Sequence, residues 1–478
     1  MNATAGKQEP AQGNSALATE KISKLMWKFS VPAIISGLVS AAYNIVDQIF
    51  IGQGVGDLGM AATNVAFPLV TISTALALLF GVGGAANFNL SLGREKREDA
   101  SSFAGNSITW MVLSGSVVGI LAILFLRPLL FAFGATESIM PYAEPYTLIT
   151  NFGIPFLVFS TGVSNLIRAD GSPAYSMVVM LSGAIFNLVF DPVFLFVFDM
   201  GIEGIALATT LGQVLSSAVA LYYLLRRFNS VPIRKEHLRI RFDVSKTICA
   251  LGAAACFNQL AMTVVQIVKS NTLRHYGALS AYGSEIPLAA VGAVSKVLVV
   301  FMAFVLGIAQ GCQPITSLNY GAQKYDRVKQ TYKLAVLYSS ILSVIAFLCF
   351  QLFPRQILSI FGSESELFYD FAIKYMRIFM LLTFLNGIQP VTSNFFTSIG
   401  KAKLGFWMSL TRQILLLVPL LLILPIFFGI EGVMWSGPIS DGIAAALAVV
   451  FAVSEMKKLT VLGKNATSIS SEPTGGTL

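Results

Sequence analysis

Charge is what this sequence has least of: 12% of its 478 residues are Asp, Glu, Lys or Arg, about half the share of an ordinary soluble domain. Histidine is scarcer still. The only two, His237 and His275, fall in or beside loops, which leaves little for histidine-based metal or nucleophile chemistry. Four cysteines, Cys249, Cys256, Cys312 and Cys349, lie in apolar stretches without CxxC spacing, so no zinc site is implied and they read as small apolar residues in helix packing. No Gly-rich phosphate loop is present. The chain brings no ATPase of its own, and any pumping draws on an ion gradient or a separate subunit. No nucleophile and base pair supports an enzyme, and no cofactor is expected.

What fills the space is hydrocarbon. The chain is 55% hydrophobic with a mean hydropathy of +0.73. Apolar runs recur along the whole length, each sufficient to cross a core about 30 Å thick as a helix. Twelve spans are expected, near 28–52, 61–90, 104–126, 146–167, 174–198, 202–225, 247–273, 287–318, 331–352, 370–396, 404–427 and 430–453. The first twenty residues, MNATAGKQEPAQGNSALATE, show no signal-peptide pattern. Lys and Arg gather in alternate loops, above all in the run from Arg226 to Lys246, while the opposite loops hold only Arg127, Arg274 and Arg355. The positive-inside rule then puts both termini in the cytoplasm. The net charge of +8 is a topology signal, and nucleic acid is not an expected partner.

The chain reads as two copies of one unit. Shifted by 228 residues, GREK (93–96) lies over GAQK (321–324), AFGATE (132–137) over IFGSES (360–365) and MGIEGIA (200–206) over FGIEGVM (428–434); a shift of 229 lays SNLIRADGSPA (164–174) over SNFFTSIGKAK (393–403). Six spans per copy give both copies the same topology. The fold class expected is therefore all-α integral membrane: twelve transmembrane helices in two six-helix bundles related by a pseudo-two-fold axis along the membrane normal. The domain reading is a disordered tail at 1–23, an amino-terminal lobe at 24–225, a basic cytoplasmic linker at 226–246, a carboxyl-terminal lobe at 247–456 and a disordered tail at 457–478. Two bundles around a cavity suit an alternating-access carrier, with a channel as the structural alternative.

Two carboxylates stand inside this apolar setting. An acid at the bilayer centre costs about 2.5–3.5 kcal/mol on insertion scales and is a functional-site hypothesis by default. Asp47 falls on one helical face with Ser36, Ser40 and Tyr43 or Asn44. Asp191 lies one turn from Asn187 and directly before Pro192, which frees a carbonyl that neighbours must satisfy. The alternative for Asp191 is a helix-end residue near the outer interface. A pair of carboxylates in one cavity suits reversible binding of a proton, or of Na⁺.

The segments PAIISGLVSAAYNIVDQIFIG (32–52), NLIRADGSP (165–173), FNLVFDPVFLF (186–196) and GIAQGCQPITSLNYGA (307–322), with the repeat, resemble the multidrug and toxic compound extrusion (MATE) family over residues 24–455, within it the DinF-like branch and its MepA-type multidrug exporters. The resemblance implies the two-bundle MATE/MOP-type fold. It also implies a proton-coupling or ion-coupling site of Asp47, Tyr43, Asn187, Asp191, Thr209 and Asn165, with a first-span kink at Pro32. Pro32 and Pro192 also read as kinks from their own chemistry. The expected activity is secondary antiport of hydrophobic, cationic, drug-like organic molecules against H⁺, with Na⁺ as the alternative, by a monomer in a bacterial plasma or inner membrane. The alternative function is a lipid-linked oligosaccharide flippase. One departure stands out. The NorM-like branch has acidic residues on its seventh and tenth spans, whereas here the seventh offers Gln259, Gln266 and Lys269, and the tenth has Asp370 only at its outer edge. The second half instead carries Lys296, Arg412 and Asp441 within its spans, the last two read as a structural pair.

Overall fold

In the computed structural model the described residues are 12–361 and 365–470, and among them there is no strand. In hydrocarbon every backbone polar group must be satisfied within its own segment, which favours long helices. The first lobe is built from α1 (Ile22–Gly54), α2 (Asp57–Gly93), α3 (Arg97–Leu124), α4 (Met140–Ala169), α5 (Pro173–Pro192, continuing as a π-helical turn Val193–Val197) and α6 (Gly201–Arg226). The second comprises α7 (Phe242–Ala278), α8 (Glu285–Gly321), α9 (Tyr325–Leu352), α10 (Glu366–Phe379 with Thr383–Ser398), α11 (Ala402–Phe428) and α12 (Ile430–Ser470). The protein thus crosses a membrane many times, as expected.

The internal repeat is written into the backbone. Three pairs of positive-φ residues are related by the shifts seen in sequence: Glu95 (62°) with Gln323 (58°), Gly171 (89°) with Gly400 (80°), and Gly201 (58°) with Gly429 (57°). Short helices also recur, Leu126–Ala132 after α3 and Pro354–Ser359 after α9.

α1 packs on α8 and α2 on α7, while α2 also crosses α8. Glycine makes these approaches possible. A Cβ on Gly83 would fall 2.1 Å from the Ile248 carbonyl, and one on Gly311 2.5 Å from Ser30 Oγ. At the crossing, a Cβ on Gly93 would meet Leu318 O at 2.1 Å and one on Gly321 would meet Leu90 O at 2.3 Å. Side-chain hydrogen bonds between the lobes lie toward this same basic end: Arg168 Nη1 donates to Gln310 Oε1 (2.7 Å), Asn87 Nδ2 to Thr247 O (3.2 Å) and Gln313 Nε2 to Val82 O (3.4 Å).

The structure corrects the sequence reading in three places. The tenth span, expected as one helix over 370–396, is bent by 41° between Glu366–Phe379 and Thr383–Ser398. Gly387 is pressed against α9, where a Cβ would lie 2.3 Å from Ser339 Oγ, and Pro390 removes a donor just beyond it. The tail expected to be disordered over 1–23 contains a helix, Gln12–Thr19. It is held because Leu17 is fully buried and its carbonyl accepts from Asn319 Nδ2 and Arg327 Nη2 (both 3.1 Å). The tail expected over 457–478 is likewise helical to Ser470 as the end of α12, with Leu459 buried. Residues 1–11 and 471–478, and 362–364 of the IFGSES repeat, lie outside the described residues.

The linker 226–246 is docked on α3. His237 is buried with Nε2 at 2.7 Å from Glu98 Oε1, its carbonyl accepts from Asn106 Nδ2 (3.1 Å), and Asn106 Oδ1 accepts from the Arg241 backbone (2.8 Å).

Candidate functional site

α1 and α5 pack together, and each contributes one acid. Asp47 is partly buried and Asp191 is 2% exposed. They are near enough for the charge of Asp47 to bear on Asp191. The Oδ1 atom of each is buried and has no hydrogen-bond partner among the described residues. Asp191 is buried, and its helix runs on past it for another turn, as the π-helical Val193–Val197. Pro192 explains that widened turn, since proline supplies no N–H and crowds the carbonyl four residues back. Phe186, Phe190, Phe194 and Phe198 form a run of ring contacts along another face of the same helix, leaving Asn187 and Asp191 to share a side one turn apart.

Tyr43, one turn from Asp47, lies where both carboxylate charges reach it. Asn44 is exposed and donates to its own helix at Ser40 O (2.6 Å), so Tyr43 rather than Asn44 belongs to the acid face. Gln48, next to Asp47, fastens α1 to α2 through Thr63 Oγ1 (3.2 Å). Asn187 is turned toward α6. With its amide nitrogen facing α6 it donates to Ala208 O (3.0 Å) and Gly183 O (3.2 Å), and Gly212 gives it room, since a Cβ there would come within 2.3 Å. Thr209 follows Ala208 on α6 and is partly buried, while its neighbour Thr210 ties α6 to α4 at Ile149 O (3.0 Å). Pro32 sits within an unbroken α1 between Ser30 and Ile34, the two residues against which Gly311 and Gly307 of α8 are pressed.

Asn165 is set apart. It donates to Thr161 O (3.0 Å) and stands against Gly81. The residue of α4 that reaches the acids is Tyr146, which feels the charges of Asp47 and Asp191. Asn165 is nineteen residues further along that helix, about 28 Å at 1.5 Å per residue. Sequence reasoning missed Tyr146. It also missed Thr147, Asn151 and Gln213, whose Oγ1, Nδ2 and Oε1 atoms are buried without partners. The signal available was the polar content of PYTLITN (145–151) inside an otherwise apolar span.

The second lobe is polar in the opposite sense. Arg412 Nε donates to Asp441 Oδ1 at 2.6 Å, the expected pair, and Lys269 Nζ lies 3.2 Å from Ser295 Oγ. Lys296 is exposed, with Nζ 5.9 Å from the centre of the Phe361 ring. Among the described residues no three His, Cys, Asp or Glu side chains gather as a metal cluster.

The MatE family profile matches residues 32–193 and 254–423, most of both lobes. The chain belongs to the MatE family. The curated multidrug export protein MepA of Staphylococcus saprophyticus is 24% identical to this MatE protein over 444 residues, 92% of this chain and 95% of the relative. MepA of Staphylococcus aureus strain MSSA476 is 24% identical over 443 residues, with the same coverage of both chains. Among solved structures, a multidrug resistance MATE family transporter of the MOP superfamily in an outward-facing conformation superposes with a TM-score of 0.88 at 22% identity, over 95% of this chain and all of the other. A MOP superfamily transporter from Pyrococcus furiosus superposes at 0.86, again at 22% identity with coverage of 95% and 100%. This MatE protein is a membrane transporter and not an enzyme.

Proposed function

We propose that this MatE protein is a secondary multidrug antiporter, exporting hydrophobic and cationic organic compounds in exchange for protons by alternating access. The observation that carries the reading is the pair Asp47 and Asp191, a partly buried and a buried acid on packed helices, each with a buried, unpartnered Oδ1. Such a pair is costly as structure and well suited to exchanging a cation. Na⁺ is the second candidate for that cation, on the same oxygens. The names of the MepA relatives support multidrug export.

Coupling requires that the ion bind the two states of the carrier with different free energy. Asp47 stands on α1, whose opposite half forms the close contact with α8 through Ser30 and Ile34. Neutralising Asp47 changes what α1 must satisfy against α5, and the same rigid helix meets the second lobe near Pro32. The basic end, with both termini, is the cytoplasmic side on the charge rule, the membrane is a bacterial plasma or inner membrane, and the working unit is the monomer.

The deciding experiment is efflux of a fluorescent organic cation from proteoliposomes under a proton gradient and, separately, a sodium gradient, using wild type, Asp47→Asn and Asp191→Asn. Accumulation driven by one gradient and abolished by Asp47→Asn is expected, and it identifies the ion. Movement under neither gradient, or full activity in both variants, sinks the antiporter reading and makes lipid-linked oligosaccharide flipping the next assay.

A further inference from the structure

The acids of the first lobe have an electrical counterpart in the second. α7 and α8 bring together Lys269 and Ser295, 3.2 Å apart. α11 and α12 bring together Arg412 and Asp441, 2.6 Å apart. Lys269 is 8% exposed, and the Arg412 and Asp441 side chains are 13% and 1% exposed. Arg412 is close enough for its charge to bear on Lys269. The cluster therefore holds two cations and one carboxylate, and the carboxylate is already bound to Arg412. Lys269 takes part in no ion pair among the described residues.

A hydroxyl dipole is a poor match for a buried ammonium. Desolvating a cation costs several kcal/mol, and an apolar side chain of similar volume fills the same space without that cost. The depth is also telling. The contacts of Gly83 with Ile248 and of Gly311 with Ser30 relate α2 to α8 by 311 − 83 = 228 residues and α1 to α7 by 248 − 30 = 218. That shift lays Asp47 over Val265, one turn from Lys269. The two polar centres stand at like depth on equivalent helices, with opposite charge.

We propose that the carboxyl-terminal lobe binds an organic carboxylate through Lys269, beside the Arg412–Asp441 pair. The substrate class then extends to amphiphilic monoanions, so this inference rests on the exporter reading and widens it. One unbalanced positive charge matches a single carboxylate and is too little for a pyrophosphate.

The test is equilibrium binding to the full-length protein in lipid nanodiscs, read by fluorescence anisotropy. The probes are an aromatic carboxylic acid, its methyl ester and an organic cation, against wild type, Lys269→Gln and Lys269→Arg. Wild type is expected to bind the acid about tenfold more tightly than the ester. Lys269→Gln erases that ratio and Lys269→Arg keeps it, which separates loss of charge from loss of folding. Equal affinity of wild type for acid and ester overturns the inference, as does a preference that survives in Lys269→Gln. If the cation is neither bound nor moved while the acid preference holds, the cationic substrate class falls and the Lys269 site stands.

Discussion

The turn between α4 and α5 hangs on one side chain. Asp170 is 6% exposed and accepts from Tyr223 Oη (2.6 Å), from the Ser230 backbone (3.1 Å) and from the Ser230 hydroxyl. These bonds join that turn to the end of α6 and to the segment that leads into the second lobe. Hydrogen bonds to a charged group contribute about 1.5–3 kcal/mol each and do not add fully. Asp170→Ala is expected to cost about 3 kcal/mol, seen as a lower unfolding midpoint of the detergent-solubilised protein, with Asp170→Asn intermediate. A midpoint unchanged in both would show that the turn is held by packing alone. At this scale the sequence was most legible where a residue is expensive. Asp47 and Asp191 stood out because acids do not sit in hydrocarbon without cause. Tyr146 and Asn151 did not, since a tyrosine or an asparagine inside a span carries a smaller penalty and is common in helix packing. Asn165 was placed at the site by family resemblance, and only the axial rise of α4 separates it from the acids.

Helices follow from apolar run length, and their positions were legible for that reason. What run length does not encode is what happens inside a helix. The break in α10 depends on Gly387 meeting two serines of α9, a contact between segments more than forty residues apart in sequence. The helix Gln12–Thr19 is polar and short, and it forms because Leu17 is buried and Asn319 and Arg327 both capture its carbonyl. The linker's attachment is equally a matter of tertiary partners. Asn106→Ala leaves the His237 carbonyl and the Arg241 amide without their partner, two buried or half-buried groups. The expected result is a loss of about 1–3 kcal/mol and faster amide exchange over 234–241 than in wild type. Unaltered exchange there would mean that the Glu98–His237 contact alone holds the linker.

For the whole molecule, the two lobes are tied at the basic end, and the alternating access proposed above requires that end to be released. Arg168 is buried with Gln310 as its hydrogen-bond partner across the lobes. Gln310→Leu leaves a buried guanidinium without it and should weaken the closed basic end by about 1.5–3 kcal/mol, a shift toward opening of roughly 10-fold to 160-fold. Spin labels on α2 and α8 near the crossing would report the shift as a second, longer distance. A single unchanged distance would place the energy of closure elsewhere. Gly93→Ala acts at the crossing itself, where a Cβ would sit 2.1 Å from Leu318 O. It is expected to expose Gln313→Cys, in a cysteine-free background, to a bulky thiol reagent several-fold faster than the same probe in the Gly93 protein; equal rates would show that the helices slide past the added methyl.

The crossing has a meaning beyond mechanics. Gly93 meets Leu318 and Gly321 meets Leu90, and subtracting the repeat of 228 turns Gly321 into position 93 and Leu318 into position 90. Position 93 therefore touches position 90 of the other copy, and 90 touches 93 in return. That reciprocity is the mark of an isologous interface. Before the two halves were joined in one gene, a six-span ancestor would have paired with an identical twin at this contact, both inserted the same way up. The sign difference between the acids of one lobe and the lysine of the other is then a divergence that fusion permitted, since a homodimer must place the same residue on both sides of its axis.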